Sequence, residues 1–432
     1  MNTPLSIDAV LFSLIVGALI VLRIELPFMQ VTIGSPAMKA TLTLLIGLYW
    51  AVDLWSVLRM RRLKNWLKTS LIWAAIFMIV VLPTLVVIIQ RSQTTPDRLA
   101  HDGLVQSEAA TAFVLKGLNP YVEDYRSTPL AKSPFTLGGL AENPALDYYA
   151  YLPLTFLIPL PFQAAAGVIA PGWFDQRSVY LLLFVATLAM SSYLTSDPIK
   201  RWLLLMGLGL NPMLLPFFIE GRNDIVVLFE IVLMLLFMQR GHLKWATVVL
   251  ALACVTKQVA WFVVPFYLMY VAGSGSLRDR WVRVRPLLII LVGVSGVFLL
   301  PWLVMAPAAF LGDIFYFQSG LSAHSFPING ISFGMLLRSL GWINSNVAAF
   351  PFWLIQLGVS LLLAWLLLRR QNRQRTVAAI PMYAGMFMFA YGFFSQFFHD
   401  NYLGFIVLLI LVGWLLDEPR VGDPHRLATD SA

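Results

Sequence analysis

In a chain built mostly of Leu, Val, Ile, Phe and Ala, two charged residues stand out for the chemistry they could do. Asp102 lies in the polar stretch "HDGLVQSEAATAFVLKGLNPY" (101–121), close to His101 and Glu108. A carboxylate there can take the proton of a reacting hydroxyl. It can equally cap a helix N-terminus, and local spacing leaves both roles open. Leu104, Val105, Ala109, Ala112, Phe113 and Leu115 follow at the spacing of a short amphipathic helix on a membrane surface, and Gly117 suits the position just past its end. Glu108 falls on the polar side of that helix, where it reads as solvated or paired rather than catalytic. The second residue is Lys257, followed by Gln258 in "TKQ". It lies about 14 residues up a helix, roughly 20 Å at 1.5 Å per residue. Either its stem snorkels to the membrane interface, or its ammonium is a point charge for a lipid phosphate. "EGRND" (220–224) adds Arg222 as a second cation beside Asn223 and Asp224, and Asp224 could simply pair with Arg222. His324, His399 and Asp400 complete the set. No His/Asp spacing approaches a metal-ligand pattern. The histidines therefore read as hydrogen-bonding groups around a cavity, and no metal or cofactor is expected.

These residues must be positioned by membrane helices. The chain has 432 residues, 59% hydrophobic and 12% charged, with mean hydropathy +0.78. A soluble protein carries about 25% charge. Apolar runs recur near 6–22, 39–58, 67–90, 150–170, 178–194, 203–218, 222–239, 243–256, 258–272, 286–305, 349–368, 377–395 and 402–416. Their length argues for helices rather than the short alternating strands of a barrel. The net charge of +8 falls in clusters between these runs and forms no basic face, so no nucleic-acid partner is expected. The single cysteine, Cys254, sits inside an apolar run and excludes a disulfide framework. No Lys or Arg precedes Arg23, so the first run reads as an anchor rather than a cleaved signal.

Four basic clusters orient the runs: "RMRRLKNWLK" (59–68), "QRGHLK" (239–244), "RDRWVRVR" (278–285) and "RRQNRQR" (369–375). The positive-inside rule puts all four in the cytoplasm. The long loops 91–149 and 306–348 and the segment "SQFFHDNY" (395–402) then lie outside. Residues between 244 and 278 form a hairpin of two short helices with its outer tip at Lys257-Gln258. Four apolar runs separate loop 91–149 from the inner cluster at 239–244, where parity requires an odd number of crossings. One is therefore re-entrant. The stretch 203–218, broken by Asn211-Pro212 and Pro216, is the first candidate; 150–170, with Pro153, Pro159 and Pro161, is the alternative. The expected fold is all-α: a polytopic helical membrane protein of about twelve transmembrane helices plus a re-entrant segment. Its parts are an N-terminal helix pair (1–66), a membrane core (67–305) with loop 91–149, a second outer loop (306–348) and C-terminal helices with a cytoplasmic tail (349–432).

Ionisable groups at the ends of membrane helices are costly and mark a site by default. Here they converge on the outer side. The sequence then resembles a known superfamily. A lone acid opens the first long outer loop and "GLNPY" follows, with Asn119 and Tyr121. "YAYLPL" (149–154), containing Tyr151, begins the next run. "LNPMLLPFFIEGRNDIVVLF" precedes the "TKQ" hairpin. Over roughly 67–400 this resembles the GT-C superfamily of polyprenyl-phosphate-dependent glycosyltransferases, nearest to bacterial mannosyltransferase-like membrane proteins. The N-terminal helix pair looks like an addition to that core. The chain has Tyr-Leu-Pro-Leu where many members have two consecutive prolines, and Gly-Arg-Asn-Asp where related branches carry Gly-Gln and Asn.

The resemblance implies a GT-C-like core and an inverting, metal-independent transfer. A mannose-like hexose or pentose would pass from a lipid-linked donor to a lipid, glycan or protein acceptor at the outer face of a bacterial cell membrane. It makes Asp102 the general base. It places Lys257, Gln258, Arg222, Asn223, Asp224, His324, His399 and Asp400 around the donor phosphate, with His101, Glu108, Asn119, Tyr121 and Tyr151 in support. Two other classes compete. A secondary transporter or lipid flippase would place polar groups near the bilayer midplane in both halves of a repeat. A non-catalytic membrane partner could keep Asp102 as a cap.

Overall fold

The structure is a computed structural model that describes residues 6–22, 24–26, 31–55, 60–135, 142–169, 173–319, 327–348 and 350–418. It is helical almost throughout, with only two minimal two-stranded pairings among the described residues. The chain starts with α1 (Ile7–Leu22), an antiparallel pair β1 (Ile24–Leu26) and β2 (Val31–Ile33), and α2 (Pro36–Leu54). A long rod follows, made of α3 (Arg61–Ile76), a π-helical stretch (77–81) and α4 (Leu82–Ser92). Pro83 falls where the π-helical stretch gives way to α4, so its missing N–H is absorbed there. Lys68 on α3 fastens the first two helices. Its Nζ donates to Asp8 Oδ2 at 2.7 Å and Asp53 Oδ1 at 2.5 Å, and Tyr49 Oη donates to Asp8 at 2.7 Å.

Next come α5 (Asp102–Leu115), the short α6 (Leu154–Leu157) and α7 (Leu160–Ile169), then α8 (Arg177–Ser191), α9 (Pro198–Gly209), α10 (Leu215–Glu220), α11 (Asp224–Gln239), α12 (Leu243–Thr256) and α13 (Val264–Ala272). The remainder is α14 (Leu277–Met305), α15 (Pro307–Leu311), α16 (Phe317–Ser319), β3 (Asn329–Gly330), α17 (Phe333–Ser339), α18 (Phe352–Gln374), α19 (Ala379–Phe393), β4 (Phe397–Phe398) and α20 (Asp400–Leu415). Among the described residues, four helical stretches are long and apolar enough to cross a membrane: Pro36–Leu54, Arg61–Ser92, Leu277–Met305 and Phe352–Gln374. Shorter apolar helices fill the space between them.

The four basic clusters share one end of the bundle. Arg280 donates to Asn372 Oδ1 (3.0 Å), joining the third cluster to the fourth. Gln239 donates to the Leu194 and Asp417 carbonyls, and the Glu418 carboxylate accepts from the Val377 and Ala378 amides. Those bonds bring in the second cluster. Lys200 reaches Asp417 (3.2 Å), and the neighbouring Trp202 donates to Thr69 beside the first. Asp102, Arg222, Lys257 and His399 gather at the other end.

That arrangement corrects the preferred re-entrant segment. Leu194 through Lys200 lies at the basic end, whereas Glu220 lies at the site end, where its carbonyl accepts from the His101 amide (2.9 Å). The stretch 203–218 therefore runs from one end to the other. Its break is repaired locally: Asn211 Oδ1 accepts from the Met213 amide (2.9 Å), and Pro216 sits in the first turn of α10, where no amide proton is needed. The alternative, 150–170, is the one that turns back. Gln176 Nε2 donates to the Thr155 carbonyl at 3.1 Å, so the chain leaves residue 155 and returns to the same level by residue 176. Lys200 and Arg201 thereby join the other cations.

A second correction concerns α5. It was expected to lie on a membrane surface with a polar face exposed. Instead both of its faces are covered, with Leu104 through Ser107 and Ala109 through Thr111 buried. Gln106 donates to the Ala145 and Tyr148 carbonyls, and Thr111 to the Phe156 carbonyl. The helix does end as expected: Gly117 takes φ +75°, and the Leu118 amide reaches back to the Phe113 carbonyl.

The segments on either side of α18 and α19 meet as a parallel pair, Asn329 with Phe397 and Gly330 with Phe398, just before His399. Gly330 has φ +75°, and a Cβ there would strike the Phe398 carbonyl. Gly330→Ala must strain the backbone or part the pair, and a cost of about 1–3 kcal/mol is expected. Thermal unfolding of the purified protein in detergent checks this; an unchanged midpoint would show that the pairing carries no weight.

Candidate functional site

His101 occupies the cap position of α5, and Asp102 is its first helical residue. A carboxylate in the first turn is favoured by the helix dipole. Asp102 Oδ1 accepts from the Gly103 amide (2.7 Å) and lies 2.9 Å from His101 Nδ1, and Oδ2 accepts from Asn143 Nδ2 (2.8 Å). His101 Nδ1 is also 3.0 Å from the Gly103 amide. A neutral imidazole nitrogen cannot both accept there and donate to Asp102. The shorter Gly103–Asp102 contact assigns that amide to the carboxylate and leaves Nδ1–H to donate to Asp102. Asn143 is fixed in turn, because its Oδ1 accepts from the Ala145 amide (3.0 Å).

Burial alone would raise the Asp102 carboxyl. The adjoining His101 and the hydrogen bonds from His101, Asn143 and Gly103 outweigh it and hold Asp102 below the usual carboxylate range. Burial pushes the His101 imidazole below its ordinary value despite the pull of Asp102. Burial, then the charges of Arg222 and His101, push His399 down to about 4. Asp102 is thus ionised at neutral pH, while burial disfavours a charge on His101 and His399.

The other half of the site is a chain of polar contacts beginning one backbone hydrogen bond away. The Glu220 carbonyl accepts from the His101 amide, Gly221 turns the chain at φ +97°, and Arg222 follows. Arg222 Nη1 donates to Asn401 Oδ1 (2.9 Å), and its guanidinium stacks 4.4 Å from the Phe217 ring centre. Asn401 Nδ2 donates to Asp224 Oδ2 (2.8 Å). Lys257 Nζ donates to Asp224 Oδ1 (2.5 Å) and Asn223 Oδ1 (3.0 Å), 5.6 Å from the Tyr402 ring centre. Lys257 is at the tip of the hairpin formed by α12 and α13, in an extended conformation that ends α12. Two expectations change. Asp224 pairs with Lys257, not with Arg222. Lys257 does not snorkel: it turns inward, buried.

The remaining expected residues divide. Tyr151 packs over the first turn of α5, so closely that a Cβ on Gly103 would meet its hydroxyl. Gln258 and Gln318 both donate to the Ala150 carbonyl, at 3.4 and 2.9 Å, tying the hairpin tip and the second loop to the segment before Tyr151. Tyr121 is buried and donates to the Tyr151 carbonyl (2.9 Å), while Asn119 closes a turn by accepting from the Tyr121 amide (3.1 Å). Both frame the site without facing it. Glu108 is ion-paired in a bidentate contact with Arg91 (2.9 and 2.7 Å). Asp400 is exposed at the start of α20, and its neighbour Asn401 enters the network instead. His324 lies outside the described residues.

Asn143, Asn401 and Tyr402 escaped the expected set. Their signal was their company, since "NPALDYY" and "HDNY" lie beside residues already singled out. Asp313 also escaped. It is buried in the second loop, where Oδ2 accepts from the Tyr149 amide (2.9 Å), and burial pushes its carboxyl up to about 8. Among the described residues, no group of three or more His, Cys, Asp or Glu side chains is placed to hold a metal ion.

A family model described as Glycosyltransferase family 87 matches residues 149–391. The match includes Tyr151, Arg222 to Asp224 and Lys257, and stops short of Asp102 on one side and His399 to Tyr402 on the other. No curated protein matches the chain.

Asp313 makes a pH prediction. With its folded-state pKa raised, the native protein binds more protons than the unfolded chain between about 4 and 8, so stability falls as pH rises across that window. Asp313→Asn keeps an acceptor for the Tyr149 amide and removes the titration. Its melting temperature is expected to exceed that of the parent at pH 8 and to match it at pH 4. Parallel curves for the two proteins would refute this.

Proposed function

The chain belongs to glycosyltransferase family 87, and from that premise we propose that it moves a mannose-like hexose or a pentose from a polyprenyl-phosphate donor to a hydroxyl of a lipid, glycan or protein acceptor. Asp102 accepts the hydroxyl proton as the oxygen attacks the anomeric carbon. The bond from that carbon to the phosphate oxygen breaks, and the phosphate leaves with the electron pair, inverting the centre. A carboxylate within hydrogen-bond reach lowers the barrier to attack, and cations near the leaving group stabilise the charge it gains. Arg222 is the cation on the segment that one backbone hydrogen bond joins to the start of α5. Lys257, neutralised in part by Asp224, holds the adjoining wall polar. Asn223, His399 and Asn401 supply hydrogen-bonding groups.

The observation that carries this reading is an ionised carboxylate at a helix start, joined by one backbone hydrogen bond to the segment bearing Arg222. The basic clusters lie at the opposite end, which by the positive-inside rule favours a site on the outer face of a bacterial cell membrane. A transporter or flippase fits less well, because the polar groups gather at one end rather than midway.

Transfer assays with a panel of polyprenyl-phosphate sugars, run on the purified protein, decide the matter. Asp102→Asn is expected to lower kcat by about 10²–10⁴-fold, and Arg222→Met to lower kcat/KM. Undiminished transfer by Asp102→Asn would remove Asp102 as the base. Failure of the unaltered protein with every donor would remove the donor class.

A further inference from the structure

The two halves of the site are held in place by a residue that touches neither of them. Arg177 opens α8 and is fully buried. Its Nη1 donates to two carbonyls, Leu99 at 2.8 Å and Ile219 at 3.1 Å. Leu99 stands just before His101 and Asp102, with a positive φ of 54°, a conformation a leucine keeps only when its surroundings hold it. Ile219 stands just before Gly221 and Arg222. The rest of the guanidinium is locked on Asp175, Nε to Oδ1 at 2.9 Å and Nη2 to Oδ2 at 2.6 Å. Asp175 is held in turn by Arg91 (3.0 Å), the residue that grips Glu108 on α5. One rigid, planar fork therefore fixes the chain that delivers Asp102 against the chain that delivers Arg222.

We propose that Arg177 is a positioning residue that sets the spacing between Asp102 and Arg222 and so controls the rate of transfer rather than the binding of donor. The proposal rests on the roles given above to those two residues. A lysine preserves the charge beside Asp175, but its single nitrogen cannot hold the carboxylate bidentately and donate to both carbonyls in the same plane. Small displacements of a reacting group cost rate steeply.

Two measurements test it. In the first, Arg177→Lys is assayed against polyprenyl-phosphate mannose and the other donors of the panel. The expected result is a fall in kcat of about a hundredfold, with the donor KM within about twofold of the parent. A raised KM with unchanged kcat, or no change in either, would overturn the proposal. The second needs no activity. Asp102→Cys and Arg222→Cys are combined with Cys254→Ser and joined by thiol cross-linkers of graded length, with Arg177 present or replaced by Lys or Gln. With Arg177 one length should dominate, and without it several should react. An unchanged length preference in both replacements would overturn the proposal, even if the donor class itself had failed.

Discussion

The end of this protein opposite the basic clusters depends on a buried chain of alternating charges, Glu108–Arg91–Asp175–Arg177. Two anions and two cations cancel within this chain; the Glu108–Arg91 and Asp175–Arg177 links are bidentate, and a single contact joins Arg91 to Asp175. Pairs of this kind are poor sources of net stability, yet losing one partner strands the next and costs about 3–5 kcal/mol. Here they specify arrangement. They bring the end of α4, the middle of α5 and the start of α8 to one place, and the segment between α4 and α5 leads from there to His101 and Asp102.

From that point the chemistry is built with backbone as much as with side chains. The His101 amide meets the Glu220 carbonyl, and Gly221 turns the chain where a Cβ would press on Leu104. Asp102 is kept ionised by donors that come from three separate positions, His101, Gly103 and Asn143. Lys257 and Asp224 satisfy one another in a setting too dry for either to stand alone. Family membership says the chain is a membrane glycosyltransferase. The geometry adds which polar groups gather at one end of the bundle.

Much of this was legible from residue types. Basic clusters between apolar runs placed four segments at one end, and the contacts through Gln239, Arg280, Lys200 and Trp202 unite them there. The hairpin tip at Lys257 followed from the basic clusters on either side of it, which had to share one end. The errors share a cause: they turned on which partner a group finds across space. A proline-broken run looks alike whether it crosses or turns back; the Gln176–Thr155 contact shows 150–170 returning, and the contacts of Lys200 and Glu220 show 203–218 running between the two ends. An apolar stripe on α5 implied one covered face, and nothing local told of the loop segment 143–156 that covers the other. Asp224 stood beside Arg222 in sequence, but the helix start turns it toward Lys257, 33 residues away.

The segment that turns back carries an open apolar surface. In α7 no side chain is fully buried, and Val168 and Ile169 are 83% exposed. Gln163 in α7 donates to the Glu108 carbonyl (3.3 Å), Thr111 donates to the Phe156 carbonyl (3.2 Å), and Gln176 to the Thr155 carbonyl joins the two ends of the turn. The long spans Leu277–Met305 and Phe352–Gln374 are similarly open on their apolar faces, so α7 presents a face for lipid tails rather than a loose edge. The chain thus turns back against lipid on one side, while Thr155 and Phe156, which lead into it, stay buried in protein.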